Sequence, residues 1–235
     1  MLEGLLDPTR WELTLAESGP LWEGFGFTLQ VVAAGLLLSL VLGTILGVFS
    51  TTRSRVLRAI SRVYVEFYQN TPLPVQVFFM YMAGPQILQA ITGAAMPVRI
   101  PAFVLGFMGV GLYHAAYIAE VIRTGIEAVP RGQMEAALSQ GFTRVQAYRY
   151  VILPQTFKTI IPALFSQCTT VIKDSSYLAG VNVAEFMYTT KVVMAQTTNL
   201  GQVLMLYGFV FALYFALNFS ISLLVRRYQR RVVAA

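Results

Sequence analysis

Residues 25–50 run FGFTLQVVAAGLLLSLVLGTILGVFS, which is 26 consecutive positions without a charged side chain. A helix of about 20 apolar residues is long enough to cross the roughly 30 Å hydrocarbon core of a bilayer. This stretch decides the class of protein, because a helix of such length and composition is predicted to span a membrane. The whole chain agrees: of its 235 residues 56% are hydrophobic and 12% are charged, about half the charge of a soluble domain.

Four more apolar stretches follow, and each is long enough for a helix that crosses the bilayer. The fourth stretch is interrupted by Lys173-Asp174. The five predicted spans are residues 25–50, 71–92, 100–122, 158–179 and 200–225. Small residues four positions apart in the first span, Gly35, Ser39 and Gly43, favour close packing against another helix. We therefore expect an all-α integral membrane protein with about five transmembrane helices.

The basic residues are concentrated in three segments, which predicts how the spans are oriented. Thirteen of the 17 Lys and Arg residues follow the first, third and fifth spans, at positions 53–62, 123–158 and 226–231. Short cytoplasmic loops of membrane proteins carry the excess of Lys and Arg. We therefore place the N-terminus outside and the C-terminus in the cytoplasm. The predicted organisation is an extracytoplasmic segment 1–24, a transmembrane domain 25–226 and a cytoplasmic tail 227–235.

The ionisable and nucleophilic side chains exclude several classes of function. The net charge of +6 comes from loop clusters that orient the spans, so we expect no nucleic acid as a partner. A single histidine, His114, and a single cysteine, Cys168, exclude a disulfide framework and a metal site with three His or Cys ligands. The sequence has no G-x-x-x-x-G-K-[ST] phosphate loop, so we expect neither ATP nor another cofactor on this chain.

Residues 53–67 place apolar and basic side chains on opposite faces of a predicted helix. Ile60 and Phe67 belong to the apolar face, and Arg62 belongs to the basic one. Such a pattern is typical of an amphipathic helix that lies at a membrane surface. We expect it at the cytoplasmic interface, leading into the second span through a break at Asn70-Thr71-Pro72.

The loop between the third and fourth spans, residues 127–154, says most about function. Glu135-Ala136-Ala137 is followed after three residues by Gly141 and, nine residues later, by Val151-Ile152-Leu153-Pro154. We predict a short helix that ends where Gly141 takes the left-handed conformation common after helix C-termini. The chain then returns to the membrane, and Pro154 is free to stop or kink it. The small alanine side chains leave a surface that a partner could approach closely.

This spacing resembles the EAA loop of ABC-importer membrane subunits, which reads EAA, three residues, Gly, nine residues and I-x-L-P, here with Val151 for the usual Ile. Further segments resemble polar amino-acid permeases of the histidine/glutamine/arginine type: residues 64–76, 116–123, 129–133 and 172–176. Gln69 and Pro74 depart from the Arg and Leu usual in that family. The resemblance covers roughly residues 24–231.

The resemblance implies a type I importer fold and a membrane complex without bond-making chemistry in this chain. It implies a second permease subunit (the same or a different chain), two ATPase subunits that carry ATP and magnesium, and an extracytoplasmic solute-binding protein. The substrate would be a polar amino acid, and the complex would lie in a bacterial or archaeal plasma (inner) membrane. The residues expected to couple the chain to the ATPases are Glu135, Ala136, Ala137, Gly141 and Pro154.

Two adjacent charges in the fourth span are the main candidates for a substrate pathway. Lys173 lies 15 residues after Lys158, which is about 22 Å along a helix axis. Charges at such depth are costly and typical of functional sites. Lys173 and Asp174 could contact the carboxylate and ammonium groups of an amino acid, with hydroxyls from Ser175 and Ser176. Alternatively, the two charges pair with other spans, or the span ends early and they are solvated.

Three other polar side chains in predicted spans have both a functional and a structural interpretation. Gln76 and Glu120 are further pathway candidates. Glu120 could instead form a local salt bridge with Arg123, one turn later, and Gln76 an interhelical hydrogen bond. For His114 we favour an interhelical hydrogen bond over a proton relay.

Two other classes of function remain possible from the residues alone. One is a secondary amino-acid transporter driven by an ion gradient, with Asp174 or Glu120 as the ion site, although five spans hardly accommodate inverted repeats. The other is a membrane enzyme, for which the chain offers few catalytic groups. A milder alternative keeps the importer fold but changes the cargo to methionine.

Overall fold

The computed structural model describes residues 8–233, and for residues 231–233 only the backbone. Within that range the chain is helical, with ten α-helices and no strand. They are α1 (Pro8–Ala16), α2 (Ser18–Thr51), α3 (Arg55–Gln69), α4 (Leu73–Thr92), α5 (Ala102–Glu127), α6 (Arg131–Ser139), α7 (Arg144–Ala147), α8 (Leu153–Asp174), α9 (Phe186–Met194) and α10 (Leu200–Val233). A π-helix (Tyr148–Ile152) precedes α8, and a 3-10 helix (Ser175–Val181) follows it.

Three of these helices are long and apolar enough to cross a membrane: Ser18–Thr51, Ala102–Glu127 and Leu200–Arg230. They confirm the helices predicted for the first, third and fifth spans. Helices α4 and α8 stand where the second and fourth spans were expected, but polar residues such as Gln76 and Lys158 lower their hydropathy. That these two helices cross the bilayer stays a prediction, as does the orientation of the chain.

The α-helix at the fourth predicted span ends before residue 179, while the bounds of the span itself stay a prediction. The α-helix stops at Asp174, and residues 175–181 continue as a 3-10 helix rather than as α-helix to residue 179. The predicted external segment 1–24 and cytoplasmic tail 227–235 lie partly outside the described residues, at 1–7 and 234–235.

The described chain divides into two compact units, and each is built around its own contacts. The first comprises residues up to 35, 72–110 and 170–220. Its apolar core joins α2, α9 and α10, and the buried residues at its centre are Leu21, Phe186, Val193, Leu206 and Val210. Phe186 is completely buried, and its ring meets that of Phe25 edge-on at 5.3 Å between centroids.

The second unit comprises residues 36–71, 111–169 and those from 221 onward. Here α2 and α5 pack with almost no space between them. A Cβ atom on Gly43 would lie 2.7 Å from Ile118, and one on Gly47 would lie 2.6 Å from Ile122. The close packing expected at Gly43 is confirmed, and it is possible because small residues let two helix backbones approach.

Helix α3 is amphipathic as predicted, but it does not lie apart from the spans. Arg58 donates to the Thr52 carbonyl at 2.8 Å, and one turn later Ser61 donates to the Leu46 carbonyl at 2.8 Å. The later residue of α3 thus contacts the earlier residue of the preceding segment. Helix α3 therefore runs antiparallel alongside α2. The Tyr64 hydroxyl donates to the Leu112 carbonyl of α5 at 2.8 Å, 15 residues and about 22 Å before the end of that helix. The helix is therefore packed lengthwise on two predicted spans, and its placement at the cytoplasmic interface stays a prediction.

Candidate functional site

The short helix α6 in the loop between α5 and α8 ends as its sequence predicts. Gly141 takes a φ of +86°, in the left-handed region that favours glycine. Its amide donates to the Leu138 carbonyl at 3.0 Å, and the Phe142 amide donates to the Ala137 carbonyl at 3.1 Å. These two bonds form a Schellman motif, which satisfies carbonyls that a helix end leaves open. The motif fixes the direction in which the chain leaves α6.

The residues of α6 divide into an inner and an outer side. Ala137 is only 5% exposed and anchors the helix, whereas Glu135 and Ala136 are exposed. The outer surface therefore combines a carboxylate with a flat alanine. Exposed apolar side chains extend it along the loop: Leu138, Phe142, Val145 and Tyr150. The sequence analysis missed these four, although a run of apolar residues in a loop otherwise polar is a signal of a docking surface.

Pro154 neither stops nor breaks the chain. A capping box at Thr143 and Gln146 starts a new helix, which continues through the π-helix Tyr148–Ile152 into α8. The Leu153 amide donates five residues back to the Tyr148 carbonyl. Proline has no amide hydrogen and clashes with an ordinary helical turn, and the wider π turn directly before Pro154 accommodates it. The coupling loop is therefore continuous helix with α8 from residue 144 onward, and residues 140–143 connect this helix to α6.

The pathway candidates at the end of α8 have different surroundings. Lys173 is exposed, Asp174 is half-buried, and Ser175 is completely buried. The Ser175 hydroxyl donates to the Ile172 carbonyl at 2.8 Å, and the Ser176 hydroxyl donates to the Lys173 carbonyl at 2.7 Å. Both hydroxyl hydrogens are thus engaged within the turn; Ser175 has no exposed surface for a ligand, and Ser176 can offer one only its oxygen lone pairs.

Helix α4 packs against the 3-10 helix that follows these residues. A Cβ atom on Gly180 would lie 3.1 Å from the ring of Phe78. The side-chain amide of Asn182 donates to the Tyr81 hydroxyl at 3.4 Å. Asn182 has a φ of +57°, an uncommon conformation for a residue with a side chain. Gln76 is half-buried in the second turn of the same α4. Gln76 and the Lys173–Ser176 element therefore lie in one compact unit.

Glu120 forms the local ion pair that was the structural alternative. Its carboxylate accepts hydrogen bonds from Arg123, including one at 2.9 Å from Nε, and Arg123 also contacts Glu127. Three charges on successive turns of α5 are thus joined on one helix face. Glu120 belongs to the second unit, whereas the other pathway candidates belong to the first.

Two smaller predictions about the helices are confirmed. His114 is 1% exposed, and its Nδ1 lies 3.4 Å from Oε1 of Gln167, so it joins α5 to α8 by a hydrogen bond. Helix α3 ends at Gln69 and α4 begins at Leu73, so Asn70-Thr71-Pro72 breaks the helix as expected. Residues 8–230 contain no group of three His, Cys, Asp or Glu side chains that could hold a metal ion.

A buried carboxyl group that the sequence analysis missed lies at the start of α9. Glu185 is 0% exposed and caps α9 by accepting from the Tyr188 amide at 2.8 Å. Thr28 of α2 and Tyr214 of α10 each donate to it at 3.4 Å. Glu185 lies between the fourth and fifth predicted spans, and burial raises its pKa to about 7, against the lowering effect of these hydrogen bonds. No sequence pattern links residues 28, 185 and 214.

Comparison with known proteins assigns the chain to a family. Residues 35–234 match the family described as the binding-protein-dependent transport system inner membrane component. This chain belongs to that family. The match includes the loop with α6 and the 3-10 helix after α8, so both candidate regions lie inside the part of the chain that defines the family.

Several curated relatives in this family are amino-acid permeases. The chain is 35% identical over 210 residues to the probable glutamine ABC transporter permease protein GlnM of Bacillus subtilis, covering 89% of this chain and 92% of the relative. It is 32% identical over 171 residues to the glutamate/aspartate import permease protein GltJ of Escherichia coli, covering 71% and 70%. The predicted ABC-importer permease is thereby confirmed.

Solved structures give the same fold. The crystal structure of an amino acid ABC transporter with histidines has a TM-score of 0.81 at 28% identity, covering 93% of this chain and 96% of that one. An inward-facing structure of the MetNI methionine ABC transporter has a TM-score of 0.68 at 18% identity, covering 91% and 98%, and shows the fold alone. These permeases belong to importers whose ATP hydrolysis takes place on separate subunits. The comparisons support neither the ion-driven transporter nor the membrane enzyme.

Proposed function

We propose that this permease carries a polar amino acid into a bacterial or archaeal cell, driven by ATP that partner subunits hydrolyse. The observation that carries the proposal is α6, a short helix with an exposed Ala136, which ends in a Schellman turn four residues before the helix that continues into α8. The relatives named above for glutamine and for glutamate/aspartate support a polar amino acid as the cargo.

The α6 loop is the proposed contact with the ATPases. Its outer surface offers an exposed carboxylate at Glu135 and apolar side chains beside it. Only residues 140–143 separate α6 from the helix that continues into α8, and the Schellman turn fixes the direction in which the chain leaves α6, so we expect a partner that moves α6 to move α8 as well. For coupling to exist, the ATPases must bind with different affinity to the inward-open and outward-open states of the permease.

The proposed complex contains more than this chain. Two permease subunits form the pathway at their interface, two ATPase subunits bind ATP and magnesium, and an extracytoplasmic solute-binding protein delivers the amino acid. The family description, a component of a binding-protein-dependent system, supports the last partner. Lys173 and Asp174 are proposed to line the pathway, with Gln76 of the same unit and Glu120 of the second unit as further candidates.

Ala136→Arg tests the coupling proposal. In proteoliposomes with the ATPases and the binding protein, the bulky charged side chain on exposed α6 is expected to reduce ATP-driven amino-acid uptake at least about tenfold, because it prevents close approach of the ATPase. Ala128→Arg is the matched control, since Ala128 is also exposed and lies just before α6. Unchanged uptake by the Ala136 variant, or an ionophore that abolishes wild-type uptake at constant ATP, would contradict the proposal.

Asp174→Asn tests the pathway separately. We expect the amount of assembled complex to be unchanged and uptake to fall about tenfold, because the amide cannot pair with an ammonium group as a carboxylate does. Blue-native electrophoresis measures assembly, and radiolabelled uptake measures transport. Normal uptake by this variant would remove Asp174 from the pathway while leaving the coupling proposal intact.

A further inference from the structure

The N-terminal half of α3 forms a small basic cleft. A cavity of about 340 Å³ is lined by Arg55, Arg58 and Arg62 together with Ala59 and Val63. All three arginines are exposed, and no acidic residue lines the cavity. The cleft therefore presents a positive surface with a small apolar floor.

The arginines are not fully occupied by contacts within the chain. Arg58 donates one hydrogen bond from Nη1 to the Thr52 carbonyl at 2.8 Å, which fixes its side chain and leaves other donors. Arg62 lies 4.0 Å from Glu66, and both side chains are strongly exposed. Such an exposed pair contributes little, so the guanidinium of Arg62 stays available to a stronger anionic partner.

An apolar groove begins where the basic cleft ends. A cavity of about 570 Å³ is lined by Ala59, Ile60, Val63, Tyr64, Phe67 and Tyr68. Val63 is 69% exposed and Phe67 is 59% exposed, so the groove is open to whatever surrounds the protein. The groove shares Ala59 and Val63 with the basic cleft, and the two form one continuous surface.

We propose that this surface is a binding site for one anionic phospholipid. Its phosphate would pair with the arginines, and an acyl chain would follow the groove along Val63 and Phe67 towards Tyr68. Planar guanidinium groups match phosphate oxygens, and basic pockets beside apolar helix surfaces are suited to anionic headgroups. An ion without a hydrocarbon chain would leave the groove empty, and a neutral lipid would leave the arginines without an anion.

The direction of α3 agrees with a lipid in the cytoplasmic leaflet. The basic cleft lies at the end of α3 that follows the α2 terminus, where the distribution of Lys and Arg predicts the cytoplasmic side. The groove continues along α3, which packs beside α2 and reaches Leu112 of α5. The headgroup would thus lie near the predicted membrane surface and the acyl chain deeper, as in a bilayer.

A second copy of the chain fits this surface less well than a lipid. A two-fold interface whose axis passes through this surface would place the patch of one copy against the same patch of the other. Here it would bring two clusters of three arginines together without an acidic residue lining either cleft, and such like-charge contacts are unfavourable. An anionic lipid supplies the opposite charge and the apolar chain together.

Native mass spectrometry of the detergent-purified permease–ATPase complex tests the proposal. We expect phosphatidylglycerol to bind about tenfold more tightly than phosphatidylcholine, and Arg55→Gln/Arg62→Gln to remove that preference. Arg58 is left in place because its bond to Thr52 supports the fold. Arg227→Gln/Arg230→Gln, the matched control on α10, removes the same charge outside the cleft and is expected to keep the preference. An equal loss in both double variants would indicate diffuse attraction and overturn the proposal.

Two further variants separate the lipid from other occupants. Val63→Trp fills the groove and is expected to weaken phosphatidylglycerol binding, whereas glycerol 3-phosphate should bind wild type only weakly. Equal binding of glycerol 3-phosphate and the lipid would show a simple anion site and overturn the proposal. Val63→Cys in a Cys168→Ala background should give no disulfide between permease copies in the complex. Efficient cross-linking there would show that a second copy covers the groove, which also overturns it.

Discussion

Glu185 joins three helices through a single buried carboxyl group. It caps α9, accepts hydrogen bonds from Thr28 and Tyr214, and has no exposed surface. The Thr28 hydroxyl also lies 2.9 Å from the Phe186 amide and accepts its hydrogen bond. A carboxyl group removed from water is costly unless its oxygens are paired, and here the pairing holds the start of α9 against α2 and α10.

This environment predicts how stability depends on pH. The pKa of Glu185 is about 7 in the folded protein, against an ordinary value of 4.5, so between these values the folded state keeps a proton that the unfolded chain has released. Its contribution to stability is therefore largest below about pH 4.5, falls as the pH rises to about 7, and stays low above that. Glu185→Gln retains a neutral acceptor and should lose this dependence. Between pH 5 and 8 its melting temperature should therefore vary by several degrees less than that of the wild type.

The control is Glu12→Gln, because Glu12 is exposed on α1. This variant should follow the wild-type profile. Glu185→Ala removes the cap of α9 and the carboxyl acceptor of Tyr214, while Thr28 keeps the Gly24 carbonyl as an acceptor at 3.1 Å, and we expect a cost of about 1–3 kcal/mol. If the Gln variant and wild type show the same pH profile, the carboxyl group of Glu185 does not titrate in this range.

At the scale of an element, α6 shows how a sequence pattern and its geometry agree. The Schellman motif at its end needs a left-handed residue, and glycine occupies that position. Two glycines in this loop offer a direct comparison, since a Cβ atom would meet nothing within 4 Å at either Gly132 or Gly141. Only Gly141 has a positive φ, so the two positions differ in backbone conformation and not in available space.

We therefore expect Gly141→Ala to destabilise the end of α6 by about 1 kcal/mol, because alanine is strained in the left-handed region. Hydrogen exchange of the Gly141 and Phe142 amides should accelerate, and ATP-driven uptake should fall. Position 132 lies inside the helix, where alanine is favoured over glycine. Gly132→Ala should therefore leave the hydrogen exchange and the ATP-driven uptake unchanged or slightly improved. Equal behaviour of the two variants would contradict a role for the Schellman turn.

The proposed function of the molecule depends on its predicted orientation in the membrane. The α6 loop must face the cytoplasm to meet an ATPase, and the loop between α4 and α5 should then lie outside. In a Cys168→Ala background, Ser139→Cys and Ala95→Cys place single exposed thiols on these two loops. A membrane-impermeant maleimide added to intact cells should label residue 95 and leave residue 139 unlabelled until the membrane is opened. The reverse pattern would exclude the coupling role of α6.

Features that depend on local composition and spacing can be read from the amino-acid sequence alone. Uncharged runs predicted the three long apolar helices. Asn70-Thr71-Pro72 predicted the break between α3 and α4, and Gly141 predicted the end of α6. Each follows from hydropathy or backbone preference within a few residues, and these do not need the rest of the fold. The EAA spacing indicated the family because that pattern lies within one loop.

Contacts between side chains far apart along the chain, and the bends and breaks set by packing, become visible in the folded chain alone. The burial of Glu185 between Thr28 and Tyr214, the antiparallel packing of α3 on α2, and the π turn that accommodates Pro154 have no sequence periodicity to reveal them. The early end of α8 at Asp174 belongs to the same group. These contacts join residues up to 157 positions apart, and their geometry is set by helix packing rather than by neighbours along the chain.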